Sequence, residues 1–320
     1  MFTLIIGIVN MKSAVLFLVF NRPDTTQQVF DAIREAKPPR LYIAADGPRL
    51  DKEDELIKCN EVRRILTLID WPCEVFTLFR EENLGCKYAV SKAITWFFDH
   101  EEEGIILEDD TLPSPLFFEY CDGLLEKYRN NTKVMSISGS YFGEIAHTNA
   151  EYYYSIYPLM WGWATWRNCW QFYTLEVDDF SPILKRMSRS YLWRKYWTEA
   201  FEHVSDLSNK KINTWDYQWI LTVWRNEGLV CRPKVNLVKN IGFDNRATHT
   251  IHENPIISNL KFGNLNIDFT QTPSSLFYAL EDKIDEEVWL NFNWKLLIAL
   301  SFPLLFQFYG KLKVLLLRRY

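Results

Sequence analysis

The first 140 residues alternate apolar runs with amphipathic stretches, and few folds accept that order. AVLFLVF (14–20), LYIAA (41–45), EVFTLF (74–79), GIIL (104–107) and VMSISG (134–139) read as strands. The first is apolar throughout, as a strand covered on both faces must be. Between them lie helical patterns. One is opened by Asp24 as N-cap with Gln27 three residues on, and shows Val29, Ile33 and Ala36 on one face. A charged amphipathic stretch runs from Lys52 to Leu68, and another helix from Lys87 to Phe98. Ser114 as N-cap and Pro115 at the first helical position open a fourth, to Tyr128. Strand–helix alternation with short links predicts an α/β domain, its largely parallel sheet flanked by helices.

Beyond residue 150 the texture changes. YYYSIYPLMWGWATWRNCWQFY (152–173) is crowded with aromatics, and a mostly helical section containing NTWDYQW (213–219) follows to Asn226. Residues 254–275 are polar, rich in Asn, Pro and Ser, and read as linker. The tail from 286 to 320 is apolar and basic. Its longest clean apolar run, Leu296 to Phe306, contains Pro303 and is too short to span a bilayer. With Lys295, Lys311, Lys313, Arg318 and Arg319 it reads as an amphipathic helical tail, either lying on an anionic cytoplasmic leaflet or packed on the domain.

The net charge of -5 in 320 residues argues against a nucleic-acid binder, which would show a basic stripe. The six cysteines form no CxxC pair, so neither a zinc site nor a disulfide framework is expected, and a cytoplasmic location is. The N-terminal LIIGIVNMKSAVLFLVF is interrupted by Asn10, Lys12 and Ser13 and runs straight into NRPD, so neither a secretory signal nor an anchor is expected. Strand patterning begins at Ser13, which leaves Met11 as an alternative start.

Glu108, Asp109 and Asp110 follow GIIL directly, three like charges where a buried strand stops. Mutual repulsion and partial desolvation make such a cluster costly unless it is solvated or meets a positive partner. Ligands of open α/β sheets bind at the carboxyl ends of strands. A divalent cation, Mg²⁺ or Mn²⁺, accepts one or two such carboxylates and completes its shell with water and phosphate oxygens. Two other strand ends carry polar groups: Arg22, suited to a diphosphate, and Asp46, suited to a base imide or ribose hydroxyl. Each alone reads more readily as a surface or turn residue; with the acids they make three polar sites along one sheet edge.

FNRPD, AADGPR, ENLG (82–85), LEDD with its proline turn and FFEY, and WGWATW together resemble bacterial nucleotide-diphospho-sugar transferases of the GT-A fold, relatives of N-acetylglucosaminyltransferase I. The resemblance spans residues 14 to 250, and LEDD with the turn and FFEY is its most specific part. It implies a Rossmann-like, mostly parallel mixed sheet. It also implies a catalytic domain over 1–250, with a nucleotide-sugar half over about 14–140 and an acceptor half over 141–250; composition sets off the linker at 251–285 and the tail at 286–320. By the family's division of labour, Asp110 binds the metal, Asp109 the ribose and Glu108 the transferred sugar. Arg22 falls on the diphosphate and Asp46 on the base. Asn83, Gly85 and Lys87 lie where the family's helix approaches the nucleotide. The eukaryotic relatives carry an N-terminal anchor and disulfides that this chain's pattern lacks, so donor and acceptor identity do not transfer.

Inverting transfer needs a general base on the acceptor hydroxyl. Asp216 follows Trp215 at a helix start, as the family's catalytic Asp does; alternatively it is an acid stabilised by the helix dipole, with Thr214 as N-cap. PLMWGWATW supplies the expected acceptor floor. Trp161 and Trp163 divide between that role and the core, Gly162 allows close backbone approach, and Trp215 stands beside the base. His249 resembles a family His near the end of the catalytic domain.

The whole-protein expectation is a metal-dependent, inverting glycosyltransferase taking a nucleotide-diphosphate sugar to a glycan or lipid-linked acceptor, peripheral on the inner membrane. Two other readings are a membrane-remodelling protein acting through its C-terminus and a sugar-phosphate nucleotidyltransferase. The second of these lacks an obvious glycine-rich phosphate loop here.

Overall fold

The computed structural model describes residues 11–187, 189–205, 213–242, 260–276 and 279–289. Its framework is an eight-stranded mixed sheet flanked by helices. Along the chain come β1 (Ala14–Val19), α1 (Pro23–Ala36), β2 (Arg40–Ala45), α2 (Glu55–Ile65), β3 (Glu74–Phe79), α3 (Gly85–His100), β4 (Glu103–Glu108) and the short β5 (Thr111–Pro113). Next are α4 (Pro115–Tyr128), β6 (Val134–Ser138), β7 (Tyr152–Ser155), β8 (Trp163–Trp166), α5 (Arg167–Trp170), α6 (Phe180–Arg186) and α7 (Tyr191–Ser205). The series ends with α8 (Asp216–Arg225), β9 (Leu229–Pro233), β10 (Val238–Asn240) and α9 (Ala279–Trp289).

The strand order is β3-β2-β1-β4-β8-β6-β9-β7. The first four strands run parallel, as the apolar runs and intervening helices require. β1 is buried along its whole length, with Val15, Leu16 and Phe17 inaccessible to solvent. Each such side chain contributes roughly 1.5–3 kcal/mol of burial. β3 forms the edge, and its residues are exposed or half-buried. The aromatic segment after residue 150 supplies β7 and β8, and β8 inserts antiparallel between β4 and β6. β6 pairs parallel with β9, and β7 closes the sheet antiparallel to β9.

Three local expectations are corrected. Arg22, not Asp24, is the N-cap of α1, with Pro23 opening the helix and no side-chain cap. Asp24 falls in the first turn instead, where a carboxylate complements the helix dipole. Trp215, not Thr214, caps α8. The segment after the carboxylates is not only a turn: Thr111–Pro113 pairs antiparallel with Val238–Asn240.

The segment expected as linker, 251–285, is part of the domain where it is described. Phe269 packs edge-on against Tyr120 and Tyr152, and Lys127 Nζ donates to the Phe269 carbonyl. Glu281, Asp282 and Asp285 of α9 are buried. Arg232, itself fully buried, donates from Nη1 and Nη2 to Asp285 at 2.7 and 3.0 Å, and from Nε to the Ser140 carbonyl. Tyr141 and the His147 main chain donate to Glu281, and Arg189 to Asp282. Paired guanidinium and hydroxyl groups make burial of these acids tolerable. The tail expected over 286–320 lies outside the described residues from 290 on, and no helix among the described residues is long and apolar enough to cross a membrane.

Candidate active site

The parallel strands β3, β2, β1 and β4 deliver their carboxyl ends to one rim, and a cleft of about 1420 Å³ opens beside it. Arg80, Asp46, Asn21 with Arg22, and Glu108 to Asp110 stand at those ends, all lining the cleft. The facing wall comes from Trp161, from α7, and from Asn213 to Tyr217 at the start of α8. Its volume exceeds the ~300–1,000 Å³ of an ordinary small-molecule pocket and leaves room for two substrates.

The carboxylate cluster is held by the strand end. Thr111 Oγ1 closes the turn, donating to the Glu108 carbonyl and accepting from its N–H. Asp109 Oδ2 accepts from the Phe20 main chain at 3.0 Å, which fixes it against the end of β1. Burial pushes Asp109 up to about 7, with Asp110 adding to the rise and Arg22 opposing it. Glu108 is raised well above the ordinary carboxylate value by burial first, then by Asp110, Asp109 and Asp216.

Arg22 Nη1 lies 2.8 Å from Asp110 Oδ2. β10 closes over this pair. Ile241 N donates to the Asp110 carbonyl, and a Cβ on Gly242 would stand 2.6 Å from Arg22 Nη1 and 2.8 Å from Asp110 Cβ. Gly242 is therefore a close-approach glycine that the sequence reading missed.

The donor set fits a divalent ion that draws most of its shell from substrate. No group of three or more His, Cys, Asp or Glu able to hold a metal alone is found among the described residues. Asp110 and its neighbours can supply one or two carboxylates, the number such ions commonly take beside phosphate oxygens. The raised proton affinity of Glu108 and Asp109 marks a site where added positive charge is stabilising.

Asp46, on the cleft wall, also meets the start of α3. Its two oxygens accept from Leu84 N at 3.1 Å, and Oδ2 also from Gly85 N at 3.1 Å and Asn83 Nδ2 at 3.0 Å. It thus caps α3 from the end of β2, supplying acceptors that the first helical N–H groups lack. Asn83 lines the cleft but also donates to the Gly47 carbonyl. Lys87 is absent from the cleft lining; its main-chain N–H donates to Asn213 Oδ1.

Asp216 stands at the first position of α8. Its Oδ1 accepts from Thr214 Oγ1 and from Tyr217 N, and among the described residues nothing donates to Oδ2. Trp215 is nearly buried: its ring stacks on Trp163 with centroids 5.7 Å apart, and its carbonyl accepts from Tyr173 Oη. Trp163 is wholly core, so only Trp161 of that pair reaches the cleft. Gly162, at φ 62°, answers to packing, since a Cβ there would press on Val238 and Leu107. His249 lies outside the described residues.

Besides Gly242, three site residues escaped the sequence reading. Arg80 follows β3 just as Arg22 and Asp46 follow their strands, so the strand-end rule would have found it. Glu55, nearly buried, orders the rim by accepting from Asn21 Nδ2 and from Arg49. Asn213 gave no local signal, because its partners are 126 residues away.

No protein-family model and no curated protein matches the sequence. Among solved structures, the chain is similar to a UDP-glucose pyrophosphorylase complexed with UDP-glucose, at 12% identity and TM-score 0.38, covering 72% of this chain and 94% of that one. It is similar to HddC from Yersinia pseudotuberculosis at 10% identity and TM-score 0.31, covering 50% of this chain and 80% of that one. It is also similar to 4-diphosphocytidyl-2C-methyl-D-erythritol synthase from Anaerococcus prevotii at 10% identity and TM-score 0.32, covering 56% and 85%. Scores this low carry no argument about chemistry, and the functional reading rests on the cleft itself.

Proposed function

We propose that this protein is a divalent-metal-assisted, inverting glycosyltransferase that moves a sugar from a nucleoside-diphosphate sugar to an acceptor hydroxyl. One observation carries the reading. The acids after β4 and Asp216 come from opposite halves of the chain yet line one cleft, close enough for Asp216 to raise Glu108. That pairing suits a donor held at the strand ends and a base approaching from the opposite side.

Residues 14–140 then hold the donor and residues 141–250 the acceptor. Asp109 accepts a ribose hydroxyl, Glu108 a hydroxyl of the transferred sugar, and Arg22 turns from Asp110 to a diphosphate oxygen. Asp110 would hold Mn²⁺ or Mg²⁺, which when bound supplies charge neutralisation for the departing diphosphate. Asp216 takes the proton of the acceptor hydroxyl as it attacks the anomeric carbon, and displacement opposite the leaving group inverts the configuration. Trp161, half-buried on the cleft wall, offers a face to the acceptor sugar. The acceptor is a glycan or lipid-linked precursor, reached at the inner face of an anionic membrane.

The test is a screen of UDP-, GDP- and dTDP-sugars with Mn²⁺, scoring nucleoside diphosphate release with and without glycan acceptors. Metal-dependent release stimulated by acceptor is the expected result. No turnover and no metal-dependent nucleotide affinity would overturn it. Pyrophosphate release from a nucleoside triphosphate and a sugar 1-phosphate would assign the cleft to nucleotidyl transfer instead.

A further inference from the structure

We propose that Asn213 is a positioning residue: it ties the loop carrying Asp216 to the N-terminus of α3 and so sets where the general base stands. The inference deepens the proposed function and rests on Asp216 being the base. Asn213 Oδ1 accepts from Lys87 N at 2.8 Å, within the first turn of α3, where N–H groups have no intrahelical acceptor. The Asn213 amide also lies over Gly85. A Cβ on Gly85 would collide with Nδ2 and come within 3.3 Å of Cγ, and the residue sits at φ 74°. Glycine there supplies both the left-handed turn and the clearance.

The start of α3 is therefore gripped from two sides. Asp46, at the end of β2, takes the N–H groups of Leu84 and Gly85, while Asn213 takes that of Lys87. The donor rim and the base-bearing loop are thus fixed to one helix end. Downstream of Asn213, Thr214 Oγ1 donates to Asp216 Oδ1, and Trp215 is anchored by its stack on Trp163 and by Tyr173. Cys86, between the two gripped positions, has its thiol raised by burial and then by both Glu108 and Asp216, so this helix end lies near both sets of acids. An amide suits the position because it accepts from the helix without adding another negative charge beside them. Displacing a catalytic group by ~1 Å costs on the order of 100-fold, which gives a tether of this kind its leverage.

The experiment compares Asn213→Ala and Asn213→Asp in the full-length protein by kcat against pH, nucleoside diphosphate affinity, thermal midpoint and amide exchange at Lys87 and at Tyr217, whose N–H donates to Asp216 Oδ1. Expected for Asn213→Ala is a ~10- to 100-fold loss in kcat, with nucleotide affinity within about threefold and faster exchange at both amides. Asn213→Asp keeps the acceptor, so it should hold kcat within about fivefold at its plateau. Its added charge should move the acidic limb of the profile to higher pH, a shift that a merely structural residue would not cause. Wild-type kcat in Asn213→Ala, or equal losses in both variants tracking a lowered thermal midpoint, would overturn the proposal. If the wild-type protein turns over no nucleotide sugar, the glycosyltransferase reading falls. The exchange data still decide the tether: unchanged exchange in Asn213→Ala refutes it, and acceleration at both amides upholds it.

Discussion

Arg22 and Asp110 form an ion pair of 2.8 Å across the ends of β1 and β4, with side chains only 11% and 20% exposed. The pair places a cation on the acid assigned to the metal, and a divalent ion at Asp110 must compete with it. Asp110→Asn should weaken nucleoside diphosphate binding about tenfold or more in Mn²⁺ and leave it unchanged in chelator. Calorimetry under both conditions checks this; an equal Mn²⁺ response in the variant removes Asp110 from the metal site.

Asp216→Asn should lower kcat by ~10²- to 10⁴-fold, the usual range for loss of a general base. Donor affinity should hardly change, because the role proposed for Asp216 is on the acceptor. Steady-state kinetics beside nucleotide titrations separate the two effects.

Asp109 gives the pH dependence. Its folded value of about 7 exceeds the ordinary 3.8, so between those values the folded protein holds more protons than the unfolded chain. Stability contributed by this group is therefore fully present below ~4, declines as pH rises, and is lost above ~7. Asp109→Asn should consequently gain stability relative to wild type as pH increases from 5 to 8. Thermal midpoints of both proteins across that range provide the measurement, and a gain that shrinks with pH contradicts the assignment.

Asp46→Ala removes the acceptors for Leu84 N and Gly85 N and should cost about 1–2 kcal/mol in urea unfolding. Nucleotide affinity should fall as well, since α3 shifts at the rim. A variant of unchanged stability would show that the cap contributes nothing.

Asp285→Ala leaves the Arg232 guanidinium buried without its carboxylate and should cost about 3–5 kcal/mol. Chain ending at residue 278 should be destabilised further. Denaturant unfolding distinguishes this from a freely detachable linker, for which both changes would be neutral.

Much of the strand-end rim was legible because its signals are local. An unbroken apolar run identifies a strand buried on both faces, and a charge immediately after it must lie at a strand end. Arg22, Asp46 and Glu108 to Asp110 were placed that way, and all five line the cleft. Their partners were not legible. Asp46 was placed at the rim from its strand, but that its oxygens accept from an α3 terminus 38 and 39 residues away left no local trace. Trp163, Trp161 and Trp215 share one composition signal, but packing sends the first into the core and leaves only part of the others at the cleft.

The C-terminal acids show the same boundary. Glu281, Asp282 and Asp285 fall in the stretch expected as linker, and they are buried because Arg232, Arg189 and Tyr141 meet them. The short pairing of β5 with β10, and the insertion of β8 between β4 and β6, likewise leave no periodic trace. By itself the sequence determined the α/β alternation and the acids at the strand ends, since hydrophobic period and chain order are one-dimensional properties. Only the tertiary structure decided which charges are paired, which tryptophans are core, and that Asn213 joins Asp216 to α3. Those outcomes depend on contacts between residues far apart in the chain, whose energies no local pattern records.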